Sequence, residues 1–174
     1  MPSDFILQVR NTLSSTPDRL RSLVSTVDLE WLSQDSCAGV LSVEEVFSHL
    51  SEFEAHMEQC LGIIESGGKV PFFDQYSLTQ ERPHWVVTPT QLMDQFAITR
   101  RKNLTTVENV DDDELMREFE HDEFGTVTFK SFLANWVASD LEHTRLIVKL
   151  LMRQFHREVG PWERFYTHLD FSET

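Results

Sequence analysis

Cysteine is nearly absent: Cys37 and Cys60 are the only two in 174 residues, and no C-x-x-C spacing joins them. That leaves no disulfide framework and no paired-cysteine redox or zinc motif, and it fits a reduced, cytoplasmic setting. Met1-Pro2-Ser3-Asp4-Phe5 has no basic stretch running into an apolar one, as a secretory signal would. No apolar run approaches the length needed to cross a bilayer. Basic side chains are also scarce, 15 against 29 acidic ones, for a formal charge of −14. Such a surface repels phosphate backbones and anionic lipid, so neither nucleic acid nor a membrane is expected as a partner. There is no internal repeat and no low-complexity tract. Strand-like alternation is confined to a few residues around Trp85 to Val87. A chain this long folds as one ordinary domain over residues 1–174, burying roughly 70% of the surface its unfolded form exposes.

What is present reads as helix. Thr16-Pro17 looks like a cap followed by proline at the first helical position, leading into Leu20, Leu23, Val24 and Val27. Asp4 to Leu13 adds a turn or two ahead of it. Ser42-Val43-Glu44-Glu45 has the form of a capping box and opens a second helix that should end at Gly67-Gly68. Residues 69 to 87, with Pro71, Pro83 and Phe72-Phe73, show no steady period and read as a long connection. Thr88-Pro89 starts a third helix with Leu92, Phe96, Arg100 and Leu104 along one face, and its Arg100-Arg101-Lys102 cluster reads as a solvated face, with binding of an anionic substrate group as the alternative. Asp111 to Glu114 loads acid at the start of a short helix through Phe119, which Gly125 ends. A long final helix follows, and Val159-Gly160-Pro161-Trp162 should turn back onto the bundle. The spacing predicts helices near 17–30, 43–65, 89–108 and 128–157, an all-α four-helix bundle with a long crossover between the second and third.

Two histidines fall on the apolar stripes of different helices. His49 lies beside Val46, Leu50 and Phe53, and His143 shares a face with Phe132, Trp136, Ile147 and Leu150. Helical positions i and i+4 lie on one face, so a histidine one turn before His143 would complete a metal clamp. That position holds Ser139. Asp140, at i+3 spacing to His143, is the candidate replacement ligand, with Glu52 or Glu54 able to lean in from the second helix. His121 reads as a loop residue. His56, His84, His156 and His168 read as surface or packing residues, Cys60 as a small buried hydrophobe, and Trp136, Phe132 and Phe155 as core.

Glu120-His121-Asp122-Glu123-Phe124-Gly125-Thr126-Val127-Thr128, the run from Trp136 to His143, and Val159-Gly160-Pro161-Trp162 resemble the DinB-like (YfiT-like) superfamily of bundle proteins. Thr16-Pro17 and the run from Ser42 to Leu50 agree, so the resemblance covers nearly the whole chain. This is the damage-inducible bundle family and not the polymerase of the same name. The resemblance implies three histidines presented to a divalent ion, Ni or Zn, of which His49 and His143 match two and Ser139 stands in place of the other. Members with assigned chemistry are low-molecular-weight thiol S-transferases or a thiol-dependent isomerase, and members commonly pair as homodimers. A serine hydroxyl is a much weaker ligand for these ions than imidazole. The expected function is therefore a non-catalytic or small-molecule-binding bundle, possessing His49, His143 and Asp140 as its metal-site candidates. The alternative is a metal-dependent enzyme of the thiol S-transferase type. Phe72, Phe73 and Trp85 add apolar surface that a homodimer would cover.

Overall fold

The computed structural model describes residues 4–32, 41–73 and 88–166. Its elements run α1 (Asp4–Val24), α2 (Leu29–Leu32), α3 (Val43–Ser66), α4 (Pro89–Thr106), α5 (Asp112–Leu115), β1 (Glu118–His121), β2 (Gly125–Thr128), α6 (Phe129–Val159) and a 3-10 turn, Gly160–Phe165. Local chemistry sets the ends of the three later long helices. Ser42 accepts from the Glu45 amide while the Glu45 carboxylate accepts from the Ser42 amide, at 3.1 and 2.6 Å. Thr88 and Gln91 repeat the arrangement ahead of Pro89. Gly67, in the left-handed region at φ 73°, closes α3, and Thr128 caps α6. These three helices match the expected spans to within a few residues.

The first helix does not. It begins at Asp4, carries Ile6, Val9, Leu13 and Leu20 inward, and stops at Val24, so Thr16-Pro17 lies inside it and not at its start. Thr16 donates its hydroxyl to the Thr12 carbonyl at 3.0 Å instead of capping. An interior proline lacks the amide that would reach the carbonyl four residues back, here Leu13. How that oxygen is satisfied bears on the site below.

The segment after α5 is also different from expectation. Only one helical turn forms, and Glu118–His121 pairs antiparallel with Gly125–Thr128 in a hairpin whose tight turn uses Gly125 at φ 67°. The alternation Glu118-Phe119-Glu120 turns Phe119 onto the core, a period-2 signal too short to stand out. Val70 joins the hairpin through two backbone bonds, donating to Glu120 and accepting from Asp122. The 3-10 turn leaves Trp162 65% exposed and Phe165 59% exposed, so the chain there does not bury itself on the bundle, and Phe155 is exposed as well.

In cross-section α4 packs on α3 and α1, and α6 packs on the same two helices. Two apolar clusters fill the interior. One joins Leu13, Phe53, Met57, Val107, Phe119 and Trp136 at the hairpin end; the other joins Leu20, Phe47, Leu50, Phe96 and Ile147 at the far end. Along α1 and α6 the chain passes from the first cluster to the second, and along α3 and α4 it passes the other way. Adjacent α3 and α4 are therefore parallel, which is why the chain needs a long crossover between them. Where the two clusters meet, every long helix contributes buried polar groups: Thr16, His49 with Glu54, Arg100 with Asn103, and Ser139 with Asp140 and His143.

Candidate functional site

His49 and His143 meet in this polar layer. His49 Nδ1 lies 2.7 Å from His143 Nε2, and His143 Nδ1 lies 2.7 Å from the Ser139 carbonyl. A carbonyl can only accept, so His143 carries its proton on Nδ1. Its Nε2 is then the acceptor, and His49 Nδ1 must donate. Both tautomers follow from one backbone oxygen. Burial holds the His143 pKa below the ordinary imidazole value, against the opposing pull of the Ser139 carbonyl and the Asp140 and Glu142 charges. Phe53 and Phe73 lie against the pair.

Asp140 faces elsewhere. Arg100 grips it with two parallel bonds of 2.7 Å, one to each carboxylate oxygen. The same guanidinium donates to Glu54 Oε2 at 2.8 Å, and Glu54 also accepts from Trp136 Nε1 at 3.1 Å and from Asn103 at 2.8 Å. Glu54 and Asp140 are thus occupied by the arginine and its neighbours. Arg100 is 1% exposed, the reverse of the solvated face expected, and lies between the Phe96 and Trp136 rings. Burial would pull its pKa down, but hydrogen bonds and charge from Asp140 and Glu54 outweigh that and raise it, so the cation persists. Its remaining bond, 2.8 Å, goes to the Leu13 carbonyl, the oxygen that Pro17 leaves without an amide. The arginine thus satisfies both carboxylates and the gap in α1.

These residues do not fit a three-ligand metal centre. Two imidazole nitrogens on one tetrahedral Zn sit roughly 3.3 Å apart, given bonds of about 2.0–2.1 Å. The observed 2.7 Å is a direct hydrogen bond instead. Ser139 Oγ lies 3.3 Å from His143 Nδ1 and makes its contact with that nitrogen and not with His143 Nε2, the atom facing His49. Among the described residues no group of three or more His, Cys, Asp or Glu side chains is placed to hold an ion.

Sequence reasoning passed over a second constellation near the hairpin. His56 and Cys60, one turn apart on α3, lie 3.1 Å from each other, Nε2 to Sγ. Burial pushes the Cys60 thiol up to about 12, so it is a neutral S–H and not an activated thiolate. The i, i+4 spacing was the available signal, obscured because neither residue pairs with the His49 and His143 pattern. His84 and His168 lie outside the described residues, as do Cys37 and Trp85.

The chain belongs to the DinB superfamily, whose family model matches residues 12–147. It is similar in structure to YfiT from Bacillus subtilis, described as a probable metal-dependent hydrolase with an unusual four-helix bundle topology. That similarity has a TM-score of 0.73 at 16% identity over 88% of this chain and 90% of that one. It is also similar to a DinB-like protein, YjoA, of Bacillus subtilis, with a TM-score of 0.58 at 17% identity over 86% and 93%. At such identities the likeness establishes the fold. No curated protein matches the chain. Among the described residues no helix is long and apolar enough to cross a membrane.

Proposed function

We propose that this chain is a DinB-superfamily bundle that works without a catalytic metal, as a small-molecule-binding protein paired as a homodimer. The observation that carries the reading is the position of Asp140. Asp140, the candidate to replace the nitrogen missing at Ser139, gives both its oxygens to Arg100, while Glu54 is held by the same guanidinium and Glu52 is exposed. Releasing Asp140 would take from the buried guanidinium its two-bond carboxylate partner and leave Glu54 as its only counter-charge, at a cost of several kcal/mol that a weak third ligand does not repay. The two imidazoles then bond to each other. The direct test is elemental analysis of protein purified without chelators, followed by calorimetric titration with Zn and with Ni. Substoichiometric metal and weak binding are expected. A full equivalent retained through dialysis would reverse the reading and favour a metal-dependent enzyme, such as a thiol S-transferase.

A further inference from the structure

A pocket of ≈ 410 Å³ opens at the hairpin end of the bundle, between α3, the first turns of α6, the hairpin and the chain around Val70. Its volume is that of an ordinary small-molecule site. Six phenylalanines line it: Phe53, Phe72, Phe73, Phe119, Phe124 and Phe132. They are held by ring contacts. Phe73 stacks on His56 at 4.7 Å, Phe124 stacks on His121 at 4.8 Å, and Phe72 meets Phe124 edge-on at 6.4 Å. Both histidines are fixed by further bonds, His56 to Cys60 and His121 Nδ1 by the amides of Glu123 and Phe124. On the α6 side Ser131 and Asn135 form an exposed polar edge.

We propose that this pocket binds a neutral, planar aromatic small molecule, its ring system among the phenylalanines and a hydrogen-bonding substituent at the Ser131–Asn135 edge. Ring faces and edges presented from several directions favour a flat π-system over an aliphatic chain. No lysine or arginine lines the pocket to match an anionic ligand, burial and then the neighbouring His121 lower the His56 pKa, and the one carboxylate of the lining, Glu123, is exposed. The chain as a whole carries −14. A buried neutral thiol and a half-buried imidazole fit a neutral guest. The inference names a ligand class for the small-molecule-binding function proposed above and rests on it.

The probe is N-phenyl-1-naphthylamine, a neutral two-ring fluorophore that brightens in apolar surroundings. Titration of the natural chain should show saturable binding at one probe per chain. Asn135→Trp places an indole at the pocket edge without removing a core contact, and should weaken binding by about tenfold or more. Ser131→Phe, one turn earlier, should do the same if the first variant folds poorly by circular dichroism. No saturable binding, or unchanged binding in a folded edge variant, would overturn the proposal. The metal titration reads the other half separately. Weak metal binding with no probe binding removes the pocket and keeps the metal-free reading, whereas tight metal binding removes that reading whatever the probe does.

Discussion

Arg100 completes the hydrogen bonding that Pro17 leaves unfinished: its guanidinium donates 2.8 Å to the Leu13 carbonyl, four residues before the proline. The contact links the middle of α1 to the charged layer that holds Glu54 and Asp140. Removing the arginine while leaving both buried carboxylates should be costly. Arg100→Met is expected to destabilise the fold by about 3–5 kcal/mol, read by urea unfolding. In a Pro17→Ala background the restored backbone amide reaches the Leu13 carbonyl, so the same substitution should cost about 1 kcal/mol less. Equal costs in the two backgrounds would show that the Leu13 bond contributes nothing.

Ser139→His should convert the paired imidazoles into a metal clamp. It adds a nitrogen one turn before His143 on the same rigid helix, and the new ring has a reason to draw His49 and His143 apart around an ion. Calorimetry with Ni or Zn should give binding tighter than in the natural protein by more than the roughly tenfold that changes around existing ligands produce. If neither protein binds, the faces carrying His49 and His143 cannot accommodate an ion.

Acid should weaken the fold through His143. Its folded pKa lies below the unfolded value of 6.5, so below that pH the unfolded chain takes up a proton that the native site resists. Stability from this group is therefore complete above pH 6.5 and declines as pH falls through the folded pKa. The melting temperature of the natural protein should drop between pH 7.5 and 5 by more than that of His143→Gln, which has no proton to gain there. Parallel pH profiles would remove His143 as the cause.

Homodimer formation is expected from the apolar side chains that a single chain leaves open. Phe155, Trp162 and Phe165 lie exposed at the end of α6 and the following turn, and Phe72 is about half exposed at the pocket. Light scattering at micromolar concentration should return twice the chain mass of 20.3 kDa. A monomer would refute it.

Much of the helical frame was legible without coordinates, because its signals are local. Ser42 with Glu45, Thr88 with Gln91, and the stripe from Phe132 to Leu150 act over three or four residues, within reach of one helical turn. The same stripes turned His49 and His143 inward. The rest depended on partners far apart in the chain. Arg100, beside Arg101 and Lys102, has the look of a surface residue, and its burial is tolerable only because Leu13, Glu54 and Asp140 arrive from 87, 46 and 40 residues away. Pro17 reads as a helix start until another helix satisfies the carbonyl it leaves behind. The hairpin, with four residues to a strand, gains its place by packing Phe119 and joining Val70 more than by propensity. Sequence set which faces turn inward; tertiary packing decided which buried charge meets which, since desolvated groups are stable only with partners that the fold alone can bring together.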